Sequence, residues 1–140
     1  MGHKKARIGF FGETVACMHI KRLGFSVVQR NWRCAGGEID IIGKKGGLIV
    51  FFEVKTLDKH VYQNTGLVPE DNFTPAKLSR FIMACNVFIA KNQDLVSDDL
   101  GWRLDLVSVV LPEFLEERNI ERCIDFCEIK HFENVVSWGV

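Results

Sequence analysis

"GGEIDIIGKKGGLIVFFEVKT", residues 36–56, contains two apolar segments joined by a glycine-rich turn, with charges where an ordinary core strand would have none. Leu48–Phe52 is wholly apolar, yet Glu53 and Lys55 follow at once, and upstream Glu38 and Asp40 alternate with isoleucines. Branched and aromatic residues on either side of GKKGG predict a hairpin with strands at about 37–43 and 47–56. Centring the turn between Lys45 and Gly46 pairs Glu38 with Glu53 and Asp40 with Phe51. Side chains alternate along a strand, so Glu38, Asp40, Glu53 and Lys55 go to one face. Ile39, Ile41, Val50, Phe52 and Val54 go to the other. A one-residue slip would exchange the two sets, so the apolar pattern specifies the phase, while a bulge would shift single pairs.

Three carboxylates and an amine crowded together repel or cost desolvation unless something compensates them. A divalent cation removes both problems. Mg²⁺ takes one or two carboxylates and keeps waters or phosphate oxygens as its other ligands. Lys55, two residues beyond Glu53, could then polarise a water or neutralise a charged transition state. Such a set suits phosphodiester hydrolysis. The competing reading is a solvated strand with two ion pairs. An E-x-K triplet alone is weak, but Asp40, a hairpin, then Glu53 and Lys55 in phase is far more specific.

Outward from the hairpin, residues 8–23 predict a helix that stops at Gly24, with Ile8, Phe11, Val15 and Met18 on one apolar face. Phe25–Trp32 predicts a strand. Residues 57–73 read as irregular, and a loop of that length is either functional or mobile. Thr74-Pro75 opens a second helix running to about Lys91, with Leu78, Phe81, Ile82, Cys85, Phe88 and Ile89 as its apolar stripe. Trp102–Leu111 predicts a strand, Pro112–Arg118 a short helical or loop piece, and residues 122–132 a returning strand. The order implies a mixed sheet with helices packed on it.

The motifs, taken in order, resemble a known family. Asp40 followed by Glu53-Val54-Lys55 resembles the PD-(D/E)xK motif of restriction-endonuclease-like nucleases. "GETVA", "RNWR", "GGEIDIIG", "LIVFFEVKT", Lys77 with Arg80, "RLDLVSV" and "HFENVV" together resemble the YraN-like family of uncharacterised proteins within that superfamily. The resemblance covers nearly the whole chain. It implies one nuclease-like domain over residues 1–140, a three-layer α/β/α fold with a central mixed β-sheet, and Mg²⁺- or Mn²⁺-dependent cleavage of nucleic acid, DNA before RNA. By that match Asp40 and Glu53 are metal ligands and Lys55 is the catalytic lysine. Glu13 matches an acidic position that some relatives bring to the same site; its other reading is a helix-dipole contact in the first turn. Junction-cutting members of the superfamily work as dimers, so a homodimer is compatible. Two departures stand out: Leu57 replaces a basic residue after EVKT, and "DKHVYQNTGLVPEDNFT" matches poorly, although this loop should border the substrate.

Totals narrow the class. The 140 residues are 47% apolar and 26% charged, as in a soluble globular protein. No apolar run reaches the roughly 18 residues that span a bilayer, and the start lacks a signal-peptide stretch, so no membrane role is expected. Five cysteines at irregular spacing imply a reducing, cytoplasmic setting. Net charge is zero but polarised: residues 1–33 carry +6 and residues 94–140 carry −7. A uniformly basic nucleic-acid binder is excluded, whereas a local basic patch is not.

Lys77 and Arg80, near the start of the second helix, could meet phosphate or merely snorkel over its stripe. Arg33, with Arg30 and Trp32, could meet a nucleic-acid strand; Trp32 itself reads as core. Arg103 and Asp105 share a strand face and read as an internal ion pair. Cys123, Cys127 and His131 have helical spacing for Zn²⁺, but they lack a fourth ligand and their segment reads as a strand. Besides a nuclease, a non-catalytic nucleic-acid-binding module and a protein-interaction subunit with an acidic C-terminal third remain open.

Overall fold

The computed structural model describes residues 2–113 and 120–136. Helix α1 (Gly2–Arg22) leads into β1 (Ser26–Cys34), β2 (Gly37–Lys45) and β3 (Leu48–Asp58). A short helix α2 (Lys59–Thr65) and a 3₁₀ turn (Pro69–Asn72) precede α3 (Pro75–Lys91). The described chain closes with β4 (Trp102–Leu111), the one-turn helix α4 (Ile120–Cys123) and β5 (Glu128–Phe132). The strands form one sheet in the order β1-β2-β3-β4-β5, with β3 and β4 parallel and the other neighbours antiparallel. It is therefore a mixed sheet, flanked by helices in an α/β arrangement.

Both faces are covered, which explains why Leu48–Phe52 is continuously apolar rather than alternating. Phe11, Val15, Ala16 and Ile20 of α1 pack on Ile41, Val50, Phe52, Val107 and Val109. On the opposite face Leu78, Phe81, Cys85 and Phe88 of α3 pack on Ile39, Ile42, Phe51, Leu104 and Leu106. Local signals place both helices. Thr74 accepts a hydrogen bond from the Lys77 amide and Pro75 occupies the first turn of α3. Gly24, at φ 96°, ends α1 and lets the Phe25 amide bond back to the Ile20 carbonyl at 3.0 Å.

The hairpin differs from its expected register. Gly46 and Gly47 both have positive φ, 56° and 86°, and form a two-residue turn in which Lys45 pairs with Leu48 and Ile41 with Phe52. The pairing is displaced by two residues from a turn centred at Lys45/Gly46. A two-residue shift keeps every side chain on its face, but it brings Asp40 level with Glu53 instead of Phe51.

The second difference is a reversal of facing. Arg30 and Ile41 are paired and face α1, while Trp32 and Ile39 are paired and face α3. Strict alternation would put both rows on one side. Asn31, between them, has φ 53°, the left-handed region that Asn tolerates better than most residues. Ile39 therefore joins the α3 core and not the row of Ile41. Asp40 sits at the turning point, where the β2–β3 ladder has ended.

The remaining differences are local. Residues 57–73 are largely structured: β3 continues to Asp58, whose carboxylate caps the Val61 amide of α2 at 2.8 Å. The expected strand over 122–132 is confined to β5, because residues 120–126 are helical. The piece expected over Pro112–Arg118 lies, from residue 114 onward, outside the described residues.

Gly12 sets how closely α1 approaches β3. A methyl group there would collide with the Thr56 side chain. Gly12→Ala is therefore expected to cost about 1–3 kcal/mol, the usual range for overpacking. Thermal melts would show the loss, and Thr56→Ala in the same chain should restore only part of it, because the Thr56 Cβ itself would lie 2.7 Å from the new methyl.

Candidate functional site

The end of β2–β3 pairing creates the site. Beyond Phe52 the Val54 amide faces a strand that has turned away, and a side chain takes the missing ladder partner's place: Asp40 Oδ2 accepts from Val54 N at 2.8 Å. Asp40 is thereby fixed beside Glu53, close enough for the two buried carboxyl groups to raise each other's energy when both are charged. Lys55 lies on the same face as Glu53 and places Nζ 3.0 Å from Glu53 Oε1, with both side chains largely buried.

Burial is the main force on both acids. It pushes the Asp40 carboxyl up, the neighbouring Glu53 adds repulsion, and the Val54 amide opposes them only partly, leaving Asp40 at about 8. Burial also raises Glu53, with Lys55 pulling the other way. A group whose folded pKa lies above its unfolded value stabilises the fold at low pH and loses that contribution as pH rises. Metal-free protein is expected to lose thermal stability as pH climbs from about 4 to about 8 on account of Asp40. Melting curves in chelator should show this slope, and Asp40→Asn should flatten it.

Two adjoining cavities frame the pair. The smaller, about 220 Å³, is lined by Glu53, Lys55, Lys77, Arg80 and Phe81. The larger, about 420 Å³, holds Glu13, Asn31, Arg33, Asp40, Lys55 and Asn72. Glu38, Lys55 and Lys77 border both. All of Asp40, Glu53, Lys55, Glu13, Lys77, Arg80 and Arg33 thus line one cleft at the opened edge of β3. Their roles within it differ. Arg33 is exposed and pairs with Glu38 at 3.3 Å. Glu13 is held by Arg30 Nε at 3.3 Å, so it stands on the cleft wall tied to β1.

Asn31 escaped the sequence reading, although an Asn within an otherwise β-like stretch was a usable signal, since strands are depleted in it. Asn72 was also missed. It reaches the cleft because Glu70, two residues earlier, accepts from Ser108 Oγ at 3.0 Å and lies 3.5 Å from Lys130 Nζ. The poorly matching segment thus borders the cleft.

The expected pair of Arg103 and Asp105 is present and extends further. Asp105 is fully buried and receives both Arg103 Nε at 2.8 Å and Nη2 at 2.9 Å. His131 Nε2 lies 2.8 Å from Oδ2, the oxygen that also accepts from Nη2, and His19 Nε2 lies 3.1 Å from His131 Nδ1. Burial alone would raise Asp105, but hydrogen bonds from His131, Arg103 and the Asn134 amide outweigh it and hold the group ionised. This network lies on the α1 side of the sheet, since Phe52 of that core meets His131 edge to face. Within the segment of Cys123, Cys127 and His131, His131 contacts Asp105 and Cys127 Sγ donates to the Cys123 carbonyl.

Among the described residues no three His, Cys, Asp or Glu side chains converge as a ready-made metal cage. The Asp40–Glu53 pair is a different kind of donor set. Two hard carboxylates, both disfavoured as anions by burial, open to a cleft with room for water or phosphate and match what Mg²⁺ asks of protein. A cation would offset the repulsion and desolvation of both buried acids.

The molecule is therefore an α/β protein with a five-stranded mixed sheet, and it carries a buried carboxyl pair and a lysine at an opened strand edge. The chain belongs to the uncharacterised protein family UPF0102, whose model matches residues 12–109. A UPF0102 protein of Roseiflexus castenholzii is 36% identical over 121 residues, spanning 86% of this chain and 93% of its own length. A UPF0102 protein of Clostridium botulinum strain Hall is 36% identical over 104 residues, or 74% of this chain and 80% of its own. The YraN-like resemblance is thus confirmed at family level. No helix among the described residues is long and apolar enough to cross a membrane.

Proposed function

We propose that this protein is a metal-dependent nuclease of the restriction-endonuclease-like, PD-(D/E)xK class, acting on nucleic-acid phosphodiesters in the cytoplasm. One observation carries the reading: Asp40, pinned by the Val54 amide, and Glu53, with Lys55 Nζ 3.0 Å from it, stand together as buried acids in a cleft rimmed by Lys77, Arg80 and Arg33. Asp40 and Glu53 would hold Mg²⁺ or Mn²⁺, with Glu13 able to join if Arg30 released it. The ion supplies Lewis-acid polarisation of the phosphate and a more acidic water.

The chain's own residues do the rest. Lys77, Arg80 and Arg33 attract and seat the phosphates on either side of the scissile one. Lys55 offers N–H donors, from a site with little water, to the attacking water and to the charge that builds on phosphoryl oxygen. A cation must displace the proton that burial keeps on Asp40, so metal affinity should rise with pH towards 8. DNA is the first substrate to try, with RNA beside it.

A cleavage screen with Mg²⁺ or Mn²⁺ tests the proposal on single strands, duplexes, flaps and four-way junctions, with Asp40→Asn and Lys55→Ala in parallel. Cleavage by wild type alone supports it. Identical behaviour of all three proteins on every substrate would end it. Salt-sensitive binding that survives Lys55→Ala, without cleavage, would instead make the protein a nucleic-acid-binding module.

A further inference from the structure

A third cavity, of about 380 Å³, lies beyond the far side of the cleft. Ile8 borders both spaces, and Thr56 in the cleft leads along β3 to Asp58 in the cavity. From Lys55 to Asp58 the strand advances about 10 Å, the reach of about three nucleotides at duplex rise and fewer when a strand is extended. The cavity has an apolar floor of Phe11 and Leu111, and the Arg7 guanidinium lies 5.4 Å from the Phe11 ring centroid. Carboxylates stand on its wall: Asp58, which spends Oδ1 on capping α2, and Glu113.

This chemistry selects among the parts of a nucleotide. A phosphate would meet two carboxylates, Asp58 and Glu113, as well as two cations, Lys4 and Arg7, with His60 beside them. A base suits the mixture better: its face packs on Leu111 and on the Arg7 guanidinium that covers Phe11, and its amino group donates to a carboxylate. A base that is paired and stacked in a duplex cannot offer face and edge to such a cavity. The volume lies within the range of small-molecule sites.

We propose that this cavity is the subsite for one unpaired nucleobase on the strand whose phosphodiester lies over Asp40, Glu53 and Lys55. The proposal rests on the nuclease reading and gives it a substrate class: nucleic acid with a single-stranded segment, a flap, tail or loop, next to the cut.

Binding is measured by fluorescence anisotropy in chelator, so that cleavage plays no part. The probes, made in DNA and in RNA, are a blunt duplex and a flap whose junction fixes the register, the latter with one abasic position moved along the single strand. The flap should bind at least about 10-fold tighter than the duplex. One abasic position should weaken binding about 5-fold or more, the scale of a lost base-stacking contact. Arg7→Glu should bind the intact flap as weakly and no longer respond to that position; its far-ultraviolet circular dichroism should match wild type. Equal affinity for duplex and flap, an abasic effect at no position, or wild-type binding by Arg7→Glu overturns the subsite. An abasic effect without cleavage in metal upholds the subsite and removes only the catalytic reading. No binding to any probe overturns the subsite, while the nuclease reading is then decided by the cleavage screen in metal.

Discussion

Lys55→Ala is expected to lower metal-dependent cleavage by about 10²–10³-fold, the usual cost of removing one preorganised donor to a developing charge. Lys55 is well placed for that effect. Its ammonium is held 3.0 Å from Glu53 by an ion pair whose two side chains are only 21% and 15% exposed. Water therefore cannot substitute readily once the amine is gone. Substrate affinity should change much less, because Lys77, Arg80 and Arg33 still line the cleft. Single-turnover rates, compared with binding in chelator, separate the two effects. Equal losses in rate and affinity would make Lys55 a binding cation and not a catalytic one.

Asp105→Ala is expected to destabilise the fold by about 3–5 kcal/mol, because removing one member of a buried charged set leaves the others uncompensated. Asp105 is fully buried, yet it accepts from Arg103, His131 and the Asn134 amide together. Removing it leaves the Arg103 guanidinium with the longer contact to Glu133, at 3.7 Å, and breaks the chain of contacts from β4 through β5 to His19 of α1. Thermal or urea unfolding reads the loss. His131→Ala should cost less, since Arg103 keeps its two-pronged contact with Asp105. A melting curve for Asp105→Ala that overlays wild type would show that the network adds nothing to stability.

Much of this was legible in the residues. The strands β2, β3 and β4, both long helices and the Thr74 cap followed from periodicity and turn signals, because those signals are local. The pairing of Asp40 with Glu53 and Lys55 was foreseen as a neighbourhood but not in its geometry. Parity along a strand survives a two-residue shift, so the charged set was found even though the turn was misplaced. The facing reversal at Asn31 could not be read from alternation, which assumes an unbroken pleat. It is this reversal that frees Asp40 to cap the Val54 amide. The link of Asp105 to His131 and His19 was hidden for another reason: its members lie 26 and 112 residues apart, and no periodicity relates them. Residues 57–73 read as loop because their polar composition masks a seven-residue helix and a turn anchored through Glu70.

The most direct measurement is Mn²⁺ binding followed by electron paramagnetic resonance at pH 8, on wild type, Asp40→Asn, Glu53→Gln and Lys55→Ala. One site should be present in wild type, lost in both carboxyl variants and retained in Lys55→Ala. Binding that is unchanged when Asp40 and Glu53 are replaced, or no binding by wild type with or without a nucleic-acid strand, would contradict a shared cation at the opened edge of β3.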